Sequence, residues 1–243
     1  MDKIRYFDHA ATTCVREEVL KEMLPYFGIE YGNPSSIYSI GRKNRKKIEE
    51  ARQRVANAIG AKTKEIYFTG CGSESDNLAI KGVAYANRER GNHIITSKIE
   101  HPAVLNTCKA LEKEGFEVTY LDVDENGFIS LENLENQIKD TTVLISIMAA
   151  NNEIGTIEPI EEIGRIAKKH NIYFHTDSVQ AIGNVKIHVE EMKIDLLSMS
   201  GHKFYAPKGV GALYVKEDVI FQKIQDGGHQ ERNKRAGTGV SKG

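Results

Sequence analysis

TTVLISIMAANNEIGTIEPIEEIGRIAKKHNIYFHTD, residues 141–177, reads as strand, loop, helix and strand in succession. TTVLISIMA and IYFHTD are apolar runs of strand length, and EPIEEIGRIAKKH between them carries apolar residues at helical spacing. A chain that leaves one strand, crosses back through a helix and enters the next lays the two strands parallel. The same alternation continues outward on both sides. Further strand runs stand at 65–70, 93–97, 116–123, 194–200 and 209–215, and further helical segments at 15–27, 44–60, 74–90 and 103–115. No repeat, low-complexity tract or linker divides them, which predicts one large α/β domain around a mostly parallel sheet.

Composition narrows the function classes. The 243 residues carry 33 Lys and Arg against 34 Asp and Glu, a net charge of −1, so no global field draws the chain to nucleic acid or to an anionic membrane. The longest apolar runs are strand-sized, too short to span a bilayer. MDKIRYFDHA at the start lacks the apolar core of a secretory signal, and three cysteines without a CxxC spacing make no disulfide framework. The expectation is a soluble cytoplasmic protein whose partner is a small molecule.

Ligands of open parallel sheets gather at the carboxyl ends of the strands. Three such ends carry chemistry here. In GCGS, after the 65–70 strand, Gly70 and Gly72 free the backbone and Ser73 stands where the next helix begins, a setting whose N–H groups suit an anion. A plain helix start, with Ser73 and Asp76 in a capping-box-like pair, accounts for the same residues. Asp177 ends the IYFHTD run and needs a cationic partner, because an isolated buried charge is costly. That partner is either a structural arginine or a protonated ring nitrogen. Lys203 follows LLSMSGH; a lysine with an ordinary pKa of ~10.4 becomes a nucleophile toward an aldehyde when desolvated near other cations, and is otherwise a solvated surface residue. Anion loop, strand-end carboxylate and strand-end lysine in one sheet together describe a pyridoxal phosphate (PLP) site.

Longer blocks carry a resemblance. YFDHAATT, GNPSS (32–36), SESDNLAIKG (73–82), HIITSKIEHPAV (93–104), NNEIGTIEPI (151–160), FHTDSVQAIG, SGHKFYAPKGVGALY and RAGTG are similar to those of cysteine desulfurases of the NifS and IscS type, within the class-V aminotransferases. The resemblance implies the large domain of a fold-type I PLP-dependent transferase, with helices on both faces of the sheet. It implies that Lys203 is the Schiff-base lysine and proton shuttle, that Asp177 keeps the pyridine nitrogen protonated, and that His101 stacks on the ring and assists acid–base steps. Asn152 and Gln180 would hydrogen-bond the ring hydroxyl or the aldimine region. Ser73, Ser200 and His202 would bind the phosphate together with Gly72 and the other amides of the GCGS loop. Thr238 would reach the phosphate of a second subunit's cofactor, which implies a homodimer. No metal is implied.

The implied reaction converts L-cysteine to L-alanine and passes the sulfur to a persulfide for iron–sulfur cluster or thio-cofactor biosynthesis, with a sulfur acceptor or iron–sulfur scaffold protein as partner. Other class-V activities, such as a selenocysteine lyase, and a non-catalytic PLP-binding chain are the alternatives. Some residues depart from the family pattern: Ser73 stands where threonine is usual, Cys71 where a small residue is common, Tyr38 where histidine is common and Cys14 where proline is usual. Family members continue beyond RAGTG into a smaller domain that bears the sulfur-accepting cysteine and the arginine for the substrate carboxylate. Residues 1–40 are expected to pack against that domain. Cys14, Cys71 and Cys108 match other blocks, and Cys108 reads as a small core residue.

Overall fold

The computed structural model of this chain describes residues 5–238. Its spine is a seven-stranded sheet of β1 (Ile66–Thr69), β2 (His93–Ser97), β3 (Glu117–Leu121), β4 (Thr142–Ser146), β5 (Tyr173–Asp177), β6 (Leu196–Ser200) and β7 (Gly211–Val215), in the order β1-β7-β6-β5-β4-β2-β3. Each strand stands where an apolar run places it. The strands β2 to β6 pair in parallel, while β7 runs antiparallel to both β6 and β1, so β1 shares the direction of the parallel set. The reversal of β7 has a local cause. The loop 201–210 that joins it to β6 is too short for the crossover a parallel neighbour requires.

Helices cover both faces, which is why β2, β4, β6 and β7 are buried along their whole length. On one face α3 (Gly72–Ala86) and α4 (Pro102–Lys113) pack Leu78, Val83 and Leu111 against Ile94, Leu144 and Leu196. On the other, α2 (Ser39–Ile59) and α6 (Ile160–Lys169) pack Ile59, Ile163 and Ala167 against Ile95, Ile145 and Leu197. Successive strand residues thus serve opposite faces, as a two-residue period demands. Each such leucine or isoleucine contributes ~1.5–3 kcal/mol of burial.

Two helices differ from expectation. The segment at 15–27 splits into α1 (Glu17–Met23) and a single 3-10 turn, Leu24–Phe27, because Pro25 has no N–H to continue the ladder. A short helix, α5 (Leu131–Asn136), stands where none was expected; Ser130 Oγ caps it by accepting Asn133 N at 3.2 Å. Six residues are too few to display a period.

The outer edge of β1 is covered by charged side chains. Ile66 O accepts from Arg52 at 2.8 Å and Arg232 at 2.5 Å, and Phe68 N donates to Glu231 Oε2 at 2.9 Å. Arg52, only 3% exposed, is neutralised by a bidentate pair with Glu231 at 2.6 and 2.9 Å. An exposed strand edge would otherwise template pairing with another chain. Among the described residues no helix is long and apolar enough to cross a membrane.

Candidate active site at the carboxyl ends of the strands

Because β1 and the parallel strands point the same way, their carboxyl ends open on one side of the sheet. A cavity of about 530 Å³ lies there, within the ~300–1,000 Å³ typical of small-ligand sites. The loop after β1 brings Gly72 and Ser73 to it, and the turn after β2 brings His101. Asn152 comes from the segment after β4, Asp177 and Gln180 from the end of β5, and Ser200, His202 and Lys203 from the end of β6. The site residues read from the sequence therefore converge, with Thr238 as the exception.

The anion loop is built differently from its sequence reading. α3 begins at Gly72 after Cys71, and no side chain caps it, so neither a Ser73 cap nor a Ser73–Asp76 capping box forms. The first-turn N–H groups are left free of side-chain acceptors at the cavity wall, as an anion site requires. Nor do Gly70 and Gly72 adopt a left-handed backbone. Gly72 is required for space: a Cβ there would lie 2.8 Å from Val179 Cγ2 and 3.2 Å from Ser200 Cβ.

Lys203 closes a 3-10 turn, Gly201–Lys203, directly after β6. Its Nζ donates to Ala10 O and, at 3.1 Å, to Ala11 O. Burial lowers its pKa against the opposing pull of Asp8 and Asp177. The N-terminal arm that supplies those carbonyls is pinned to the same loop. Thr13 N and Oγ1 donate to His202 O at 2.8 and 3.0 Å, Tyr205 N donates to Thr13 Oγ1 at 2.7 Å, and Gln180 Nε2 donates to Ala10 O at 3.0 Å. His202 Nδ1 lies 3.1 Å from Thr12 Oγ1; burial, then Lys203 and Lys208, lower its pKa. The site thus includes Asp8, Ala10 and Ala11, which the sequence reading left within a family block.

Asp177 is buried and accepts Val179 N at 2.9 Å. Burial raises its pKa, opposed by that hydrogen bond and by the nearby His101 and Lys203 side chains. Among the described residues no arginine pairs with it, which removes the structural-arginine alternative. Beneath it lies a second carboxyl missed at the sequence level. Asp76 is 1% exposed, and its Oδ1 has no hydrogen-bond partner among the described residues and sits 3.7 Å from His175 Nε2. Burial, reinforced by Asp177, pushes its pKa well up. His175, held by Ser146 Oγ at 2.8 Å and Ser198 Oγ at 2.9 Å, is pushed down to about 3 by burial and stays neutral. Asp76 shares the helical stripe of Gly72, Ala79, Ile80 and Val83, which is the signal that marks it as inward-facing.

His101 caps α4, with Nδ1 accepting Ala103 N at 3.1 Å and Pro102 at the first helical position. A neutral imidazole whose Nδ1 accepts carries its proton on Nε2, so this cap fixes the tautomer of a ring that lines the cavity. Asn152 donates to Glu153 Oε1 at 2.7 Å, while the turn itself is held by Asn151, whose Oδ1 accepts Glu153 N at 2.8 Å and Ile154 N at 3.1 Å. Thr238 lines a different, more apolar cavity of about 370 Å³, which also meets Met199, Gly201 and Arg235.

The class-V aminotransferase family pattern matches residues 5–240. A protein named cysteine desulfurase IscS from Clostridium botulinum is 61% identical over 238 residues, which are 98% of this chain and 60% of the relative. A solved NifS-like protein superposes with a TM-score of 0.95 at 44% identity, covering 98% of this chain and 66% of the other. A structure of SspA in complex with cysteine gives 0.96 at 46% identity, covering 98% and 70%. The chain thus spans about 60% of the length of the curated relative it matches.

Proposed function

Because this chain belongs to the class-V aminotransferase family, we propose that its cavity holds PLP and that it carries the amino-acid-activating part of a cysteine desulfurase. The observation that carries this reading is the convergence of Lys203, Asp177 and the uncapped start of α3 on one cavity. PLP offers an aldehyde, a ring nitrogen and a phosphate, and the cavity offers an amine, a buried carboxylate and a helix N-terminus. The fit extends to the charges: among the described residues Asp177 pairs with no arginine, and Lys203 is bonded to main-chain carbonyls and sits in no ion pair.

When bound, PLP supplies an electron sink that makes the α-proton of an attached amino acid removable. The chain's own residues do the rest. The first-turn N–H groups of α3, Gly72 included, would hold the phosphate with the Ser73 and Ser200 hydroxyls and His202. Asp177 would hold a proton on the ring nitrogen. Burial favours the neutral Lys203 amine, the form that bonds an aldehyde and can then carry the proton from the substrate Cα. His101 would present its ring and Nε2–H to the cofactor, and Asn152 and Gln180 would hydrogen-bond its ring hydroxyl or the region where Lys203 joins it.

The substrate in this reading is L-cysteine, supported by the names of the relatives. Its sulfur leaves Cβ as it bonds to a thiolate, giving a persulfide, and Cβ gains a proton to become the methyl of L-alanine. Cys108 is buried with its thiol pushed up to about 12, Cys14 lies outside the cavity, and Cys71 stands at the phosphate loop. We therefore assign the accepting thiol, and the arginine for the substrate carboxylate, to the part of the family's length this chain does not span. Onward transfer would go to a sulfur acceptor or iron–sulfur scaffold protein in a reducing, cytoplasmic setting. Thr238 does not line this chain's own site, which supports its assignment to the phosphate of a second subunit in a homodimer. Exposed Phe7, Phe27, Ile29, Tyr31 and Ile37 support the packing of residues 1–40 against a smaller domain.

The test is spectroscopic. PLP added to the purified chain should develop a visible absorption band, and L-cysteine should shift it. Absence of any band overturns the cavity assignment, and a band that responds to another amino acid but not to L-cysteine overturns the substrate.

A further inference from the structure

β2 and β4 are neighbours, and their ladder ends at the rung Thr96↔Ser146. Beyond it the chain after β4 keeps its extended course, and its N–H groups alternate in direction. Ile147 N donates to His175 O at 3.1 Å and Ala149 N to Asp177 O at 2.9 Å, both toward β5. Met148 N therefore faces the other side, where β2 has already turned away. The Glu100 side chain fills that place: Oε1 accepts Met148 N at 2.9 Å and Ser97 Oγ at 2.7 Å.

The bonding of this carboxyl is lopsided. Glu100 is 4% exposed, and Oε2 is buried with no partner among the described residues. An ionised carboxylate would leave charge on that bare oxygen, whereas a neutral acid, with Oε1 as the carbonyl and Oε2 as the hydroxyl, leaves only an uncharged group there at smaller cost. Burial pushes the group up to about 8, in the same sense. The groups that face it are Asp177 from the end of β5, Glu158 from the segment after β4, Asp76 from α3 and Cys108 from α4. All are acids, so none of them favours the ionised form; the hydrogen bonds from Met148 N and Ser97 Oγ do favour it, and burial outweighs them.

We propose that Glu100 is a positioning residue, a neutral acid that replaces the missing rung of β2 and so fixes His101 and the Met148–Asn152 wall of the cavity relative to each other. Its role in the site rests on the PLP reading; its role as a clamp does not. A second side chain works beside it, since Asn151 Nδ2 donates to Ile99 O at 2.9 Å and ties the same turn to the same wall. Opening the turn exposes Glu100 to water, where it ionises above an ordinary carboxylate pKa of ~4.3. The closed form keeps its proton until about 8. Opening thus releases a proton in that window and becomes easier by up to about tenfold per pH unit, levelling off above it.

Hydrogen exchange at the Met148 amide of the apoprotein, corrected for intrinsic exchange and followed from acidic to alkaline pH, tests the clamp in wild type, Glu100→Gln and Glu100→Ala. Protection in wild type should fall as pH rises and level off near 8. Glu100→Gln copies the neutral acid and should keep protection without that pH dependence. Glu100→Ala should lose about tenfold or more at every pH, as a buried donor loses its acceptor. Glu158, pushed up to about 7 by burial, remains in all three proteins and cancels from the comparison. A Gln variant that keeps the wild-type pH profile, or an Ala variant with wild-type protection, overturns the proposal. The PLP band, recorded on the same samples, should weaken about tenfold in affinity for Ala and recover for Gln. If wild type shows no band, the PLP reading fails while the exchange profile still decides the clamp.

Discussion

Two cavities of nearly equal volume open at opposite ends of the sheet, about 530 Å³ beyond the carboxyl ends of β5 and β6 and about 550 Å³ at their amino ends. Both are lined by charged residues, and they treat charge in opposite ways. At the amino end several charges pair with one another: Lys216 lies 3.7 Å from Asp195 and 3.3 Å from Asp218, and Lys62 lies 3.7 Å from Glu217. At the carboxyl end Lys203 reaches only main-chain carbonyls, Asp177 accepts a backbone N–H, and Asp76 leaves an oxygen unpartnered. Volume does not distinguish the two. Ionisable groups kept from their natural partners do, because such an arrangement costs stability and persists where a ligand completes it.

The largest effect expected from that difference is at the two lysines. Lys203→Ala should abolish the visible band formed with PLP while leaving circular dichroism and thermal unfolding nearly unchanged, since Nζ supports only two arm carbonyls. Lys216→Ala should leave the band intact. A band that persists without Lys203, or vanishes without Lys216, would break the contrast between the ends.

A smaller, pH-dependent effect should come from Asp76. Its folded pKa is raised by burial, so its contribution to stability is complete below the unfolded value of ~3.9 and is lost as pH rises toward the folded one. Asp76→Asn keeps the shape and removes the proton to be lost. Its melting temperature should match wild type near pH 4 and exceed it by about 2–4 °C at pH 8, if roughly 1 kcal/mol is recovered. A constant offset at both pH values would mean that Asp76 does not titrate on unfolding.

The same contrast explains what the sequence discloses. Central strands covered on both faces must be continuous apolar runs, so IYFHTD and IDLLSMS announce themselves, and the polar residue that ends each run, Asp177 or the SGHK group, marks the site. Asp76 and Glu100 give no such signal. One sits inside a helix with a capping residue's composition, and the other acquires its role from Met148, 48 residues away in the chain. Whether a carboxyl is paired is a tertiary fact, and the unpaired ones are those that matter here. The reversal of β7 lay in a loop length and not in its residues, which is why a mostly parallel sheet was legible and its one antiparallel strand was not.

The smallest effect belongs to the amino end, and it sharpens the contrast by being small. Lys62 and Glu217 are both more than half exposed at 3.7 Å, a pairing in which solvent screens the attraction and side-chain entropy offsets most of the rest. Lys62→Ala should therefore change unfolding free energy by less than about 0.5 kcal/mol, with the difference shrinking further in high salt. PLP binding should not change. A larger loss, insensitive to salt, would mean that the Lys62–Glu217 pair is not screened by solvent, and the account of the amino end as a set of weak surface pairs would fall.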